Sequence, residues 1–124
     1  MRLNFDLVRE ILLTVEHAPA NRPVKVDFQD RDRDDVLEHL EILIDRGFLE
    51  GRVMRSGMDN KRIYDIHIER LTWEGQEFLA NARNDQVWRK TLALIKEKGG
   101  SASFEVLKTL LVKVVSQHFS SGGI

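Results

Sequence analysis

Between Val36 and Leu49 an apolar stripe at helical spacing runs into a glycine and then, with no linker, into extended chain. Val36, Leu37, Leu40, Leu43 and Ile44 recur as the buried side of a helix does. Asp30-Arg31-Asp32 supplies a cap at its start, acidic residues follow in the first turn where the helix dipole favours them, and Gly47 stands where a helix C-cap belongs. The spacing predicts a helix over about Arg33 to Arg46. Two extended runs come next, Phe48 to Met54 and Ile63 to Glu69. The second places Tyr64, Ile66 and Ile68 on one face and Asp65, His67 and Glu69 on the other. Arg55-Ser56-Gly57-Met58-Asp59-Asn60-Lys61 between them has the composition of a turn, so the two runs read as a β-hairpin. A helix that stops on glycine and feeds a hairpin at once leaves few arrangements open.

The flanking segments narrow it further. Leu7, Val8, Ile11, Leu12 and Val15 predict a helix from Phe5 to His17, capped by Asn4 or Asp6 and ended by the two prolines of Ala18-Pro19-Ala20-Asn21-Arg22-Pro23. Val24-Lys25-Val26-Asp27-Phe28 alternates as a short strand does. After the hairpin, Thr72 opens a helix to about Ala82, and a further helix covers Asp85 to Lys98. Gly99-Gly100 breaks it, and Ser103 caps a last apolar helix. The expected organisation over residues 1–124 is one domain, with a core at 1–82, a helical extension at 83–119 and a frayed tail at 120–124.

The order helix, short strand, helix, hairpin, followed by C-terminal helices, is the layout of a winged-helix domain, an α+β fold that is mainly α. In DNA-binding versions the second helix enters the major groove and the hairpin, the wing, touches backbone or minor groove. Leu40 to Leu49 resembles a phrase of such domains, and Leu71-Thr72-Trp73-Glu74-Gly75 resembles the strand-to-helix junction of MarR-like and PadR-like repressors. The chain as a whole is similar to the small bacterial and prophage proteins grouped as domain of unknown function 2513. That resemblance rests on Asp6 to Leu12, His39-Leu40 with Leu43-Ile44 and Gly47, Leu71 to Leu79, and Val87-Trp88. It implies a winged-helix-like, often phage-linked protein with no assigned reaction and no catalytic residues to transfer.

Composition removes whole classes of function. The chain has no cysteine, hence no disulfide, thiol nucleophile or cysteine-held metal. No apolar run is long enough to span a membrane, and Met1 to Asp6 lacks the apolar core of a signal peptide, so the expected compartment is the cytoplasm. Nineteen Lys and Arg against twenty Asp and Glu give a net charge of −1, which excludes a uniformly basic DNA-coating protein. The charge is nevertheless polarised. Asp27 to Glu50 carries nine acids and three arginines, Gly51 to Arg62 four bases and one acid, and Arg83 to Lys113 seven bases and three acids.

Two functions fit. The first is double-stranded DNA binding by a non-enzymatic regulator, phage-associated in origin, with Arg31, Arg33 and His39 on or near the second helix and Arg52, Arg55, Lys61 and Arg62 on the hairpin as donors to phosphates or base edges. The second is a protein-interaction module that docks a host or phage protein through Asp34, Glu38, Glu41 and Asp45 on an acidic helix that phosphates would repel. The apolar width of the last helix (Leu107, Leu110, Leu111, Val114, Val115) adds the expectation of a homodimer through the C-terminal helices. An enzyme, a metal and a cofactor are not expected. Asp65, His67 and Glu69 lack a fourth ligand, His39 is not followed by a metalloprotease pattern, and Ser56, Ser101 and Gly99-Gly100 match no nucleophile or phosphate-loop motif. Trp73, Phe78 and Trp88 are expected in the core rather than in a ligand cage.

Overall fold

The computed structural model describes residues 2–59 and 61–120. They form an α+β arrangement, mainly helical: α1 (Phe5–His17), α2 (Arg33–Asp45), β1 (Leu49–Ser56), β2 (Arg62–Leu71), α3 (Trp73–Ala82), α4 (Asp85–Glu97) and α5 (Phe104–Ser120). Of the frayed tail expected at 120–124, residues 121–124 lie outside the described residues, while Ser120 closes α5. The chain divides into two compact units, Met1–Gln76 and Glu77–Ile124, and the division falls inside α3.

In the first unit, the Asn4 side chain accepts the Leu7 N–H at 3.1 Å and opens α1, which buries Leu7, Val8, Ile11, Leu12 and Val15. Ala18, held extended before Pro19, ends it. Asp32 caps α2 by accepting the Asp34 N–H at 3.0 Å. The far end of α2 is a Schellman turn: Gly47 (φ +80°) donates to Ile44 O at 3.0 Å and Phe48 to Leu43 O at 2.9 Å. That turn delivers the chain into β1 with no intervening loop.

β1 and β2 pair antiparallel from Leu49↔Leu71 to Ser56↔Arg62. Two register shifts leave Glu69 and Tyr64 as extra residues on β2. The shift at Tyr64 takes this ring off the apolar face expected for it, and it is exposed, while Ile66 and Ile68 are buried with Phe48, Leu49 and Leu71. Thr72 locks the hairpin exit to the α2 end. Its N–H donates to Phe48 O at 3.1 Å, its hydroxyl donates to Gly47 O, and the same hydroxyl oxygen accepts the Gly75 N–H at 3.1 Å. A Cβ on Gly75 would stand 2.2 Å from Phe48 O, so the Leu71-to-Gly75 phrase is a packing signature.

The expected strand Val24 to Phe28 is reduced to one bridge, Val24 N–H to Ile68 O at 3.4 Å. The reason lies on β2. Beyond Ile68, the Ile66 N–H is taken by Asp65 Oδ1 at 2.9 Å and the Tyr64 carbonyl by Arg33 Nη2 at 3.3 Å, so a strand at 25–28 finds these groups already used.

In the second unit, Asn84 caps α4 and Ser103 caps α5, their side chains accepting from Val87 N–H and Val106 N–H. Phe78 stacks on Phe104 at 5.2 Å and meets Trp88 edge-on at 6.5 Å. Phe78 and Trp88 are core as expected. Trp73, the first residue of α3 and part of the first unit, is not: it is 73% exposed.

Candidate functional site

The hairpin tip and the exposed side of α2 face each other across a cleft of about 460 Å³. Its polar walls are Asp34, Glu38 and Glu41 on one side and Arg55, Lys61 and Arg62 on the other, over Leu37, Ile42 and Ile63. Asp34, Glu38, Glu41 and Asp45 are spaced four, three and four residues apart, so they form one line along α2. The two charged segments that the sequence shows separately therefore meet, and the cleft walls carry three acids against three bases.

The Arg55 guanidinium shows the consequence. Its Nη2 is paired with Glu41 Oε2 and its Nη1 donates to Lys61 O at 3.0 Å. A cation expected for phosphate is committed to the neighbouring helix. Arg31 is similarly occupied, Nη2 standing 3.1 Å from Glu10 Oε2 and tying the turn before α2 to α1. Arg33 is spent on the Tyr64 carbonyl.

His39 departs furthest from expectation. It is 1% exposed; its Nδ1 donates to Asp35 O at 2.7 Å and its Nε2 accepts the Asn4 N–H at 3.0 Å. Burial with both nitrogens engaged takes His39 out of any surface contact; it ties α2 to the residue that caps α1. The hairpin retains Arg52, Lys61 and Arg62, all exposed and without an ion pair among the described residues. Lys61 and Arg62 lie at the cleft; Arg52 stands midway along β1, opposite His67, and outside it.

The Asp65, His67, Glu69 alternation is interrupted, because Glu69 is the bulged residue and Asp65 accepts from the backbone. Among the described residues no group of three or more His, Asp or Glu could hold a metal. On α5, Leu107, Leu111 and Val114 are buried within the single chain and Leu110 and Val115 partly so, which narrows the apolar face that led to the expectation of a dimer. No described helix is long and apolar enough to cross a membrane.

Two features escaped the sequence reading. The Glu41–Arg55 pair joins residues fourteen apart on different elements, and no local pattern announces it. The exposed cations of α4 were legible as charge, but which side they take is settled only by the burial of Val87, Trp88, Thr91 and Ile95.

A helix-led hairpin with a charge-balanced cleft and a helical second unit defines a small, mainly helical α+β protein. The chain belongs to the family described as "Hypothetical protein (DUF2513)", which it matches over residues 2–101. It is 32% identical over 119 residues to an uncharacterized protein of Haemophilus influenzae, covering 94% of this chain and 98% of that one. No solved structure matches it.

Proposed function

We propose that the chain is a non-enzymatic, duplex-DNA-binding protein of winged-helix type whose hairpin, rather than α2, makes the contact. One observation carries the reading: Arg52, Lys61 and Arg62 are exposed on the hairpin without an ion pair among the described residues. Cations in that state are free to displace counterions from phosphates, the source of most non-specific affinity. The order of α1, the Val24 bridge, α2 and the hairpin supports the winged-helix assignment. The acidic line on α2 argues against the usual groove-reading role for that helix. Fluorescence anisotropy with a labelled mixed-sequence duplex tests this. Binding is expected to weaken steeply with salt, and the combined variant R52A/K61A/R62A is expected to lower the salt slope by about one unit for each cation in contact. Unchanged affinity in a folded variant would sink the hairpin assignment.

A second reading has its own observation. Asp34, Glu38 and Asp45 have no ion pair among the described residues, in line on one helix face. That face fits a basic segment of a protein partner. Charge reversal as D34K/E38K/D45K should abolish capture of such a partner; capture that survives the reversal removes this reading.

A further inference from the structure

The second unit presents a separate charged surface. Its residues 77–124 carry seven Lys and Arg against four Asp and Glu, net +3, whereas residues 1–76 are net −4. Arg89, Lys90, Lys96 and Lys98 on and just after α4 are all exposed, and none has an ion pair among the described residues. Their direction is fixed from behind. Val87, Trp88, Thr91 and Ile95 are buried on the side of α4 opposite Arg89 and Lys96, Lys90 stands at the edge of the exposed side and Lys98 lies past the helix end; the Asn84 side chain holds the first turn, and Gly99 and Gly100 with positive φ end it. Arg89 and Lys96 are seven residues apart, so they lie on one line about 10 Å long, with Lys90 about 100° round the helix from Arg89. Phosphates recur every ~3.4 Å of axis along one strand of a duplex, so this line spans about three.

We infer that the exposed side of α4 is a docking surface for the phosphate backbone of nucleic acid, independent of the hairpin residues. Charge complementarity selects a polyanion. Between the two common polyanions, α4 favours nucleic acid over a lipid surface. A helix that lies on a membrane inserts its apolar side, and here Val87, Trp88 and Ile95 are already buried within the protein. Lys96 and Lys98 also sit where the helix dipole favours cations, so their removal bears on helix stability as well as on docking. Arg89 and Lys90, in mid-helix, separate the two effects.

The experiment is anisotropy with a labelled mixed-sequence duplex on the full chain, at about 50 and 200 mM salt. The four-site variant R89Q/K90Q/K96Q/K98Q, the two-site variant R89Q/K90Q and the hairpin variant R52A/K61A/R62A are compared, with helicity followed by circular dichroism. The four-site variant is expected to bind at least about tenfold more weakly, with a salt slope smaller by about one per contacting cation. The two-site variant should move the same way by a smaller amount, and it carries the decision if the four-site variant loses helicity. Wild-type affinity and slope in the α4 variants, with loss in the hairpin variant, would overturn the α4 surface and leave the proposed function standing. The converse pattern would uphold α4 and remove the hairpin. Capture of the wild type by phosphatidylserine vesicles without any duplex binding would overturn both, as would no duplex binding at the lower salt.

Discussion

At position 39, an imidazole fills a place that has a donor on one side and an acceptor on the other. Removing it leaves the Asn4 N–H and the Asp35 carbonyl without their partner and opens a void beside the α1 cap. His39→Ala is therefore expected to cost roughly 2–3 kcal/mol, read as a lower denaturant midpoint with an unchanged m value. Its duplex affinity per folded molecule should equal that of the wild type; a selective loss of affinity would mean that His39 touches DNA after all. Histidine flanked by Glu38 and two residues before Glu41 looks in sequence like a surface residue on an acidic helix. Only the arrival of Asn4, thirty-five residues away, gives it its role. Residue types that bond to their own neighbourhood were easier. Asn4, Asp32 and Ser103 cap the N–H two or three residues ahead, and Gly47 adopts the left-handed turn its position demands.

Among elements, the contact between α2 and the hairpin governs how much of the basic hairpin reaches solvent. The Glu41–Arg55 pair is about a third exposed on both sides, so its removal should change stability by less than about 1 kcal/mol. Its effect on binding is larger in kind. Glu41→Gln releases the Arg55 guanidinium and deletes a carboxylate facing the cleft, so duplex affinity should rise several-fold with a steeper salt slope. Weaker binding in that variant would show that the pair holds the hairpin in its working position instead. The helices and the hairpin were all legible, because each has its own periodicity and its own stop signal. The Val24 to Phe28 segment forms no strand for a non-local reason. Its alternation is real, but the edge of β2 that it would have joined is occupied by Asp65 and Arg33. The bulges at Glu69 and Tyr64 were invisible for the same reason, since register is a property of two strands together.

For the molecule as a whole, a net charge of −1 conceals units of −4 and +3. Adsorption follows the distribution of charge over the surface rather than its sum. The chain should therefore be retained on a heparin column at low salt despite its negative total. R89Q/K90Q/K96Q/K98Q should elute earlier, and the hairpin variant should be shifted by a separate amount. Flow-through of the wild type would indicate that these cations are unavailable in solution. Polarity between segments was present in the sequence. What the sequence withheld was that the acidic and basic stretches of the first unit face each other across a cleft, where the Glu41–Arg55 ion pair joins them.

The side-chain occupation of the β2 edge has a consequence for the protein's behaviour in concentrated solution. A two-stranded ribbon offers an open rim on which strands from other chains can nucleate, the usual starting point of edge-to-edge aggregation. Asp65 and Arg33 act there as gatekeepers, filling the Ile66 and Tyr64 backbone positions that an incoming strand would use. R33A/D65A is expected to keep the native far-ultraviolet spectrum yet scatter light on mild heating at lower temperature than the wild type. An unchanged onset of scattering would mean that the Val24 segment alone suffices to shield the rim.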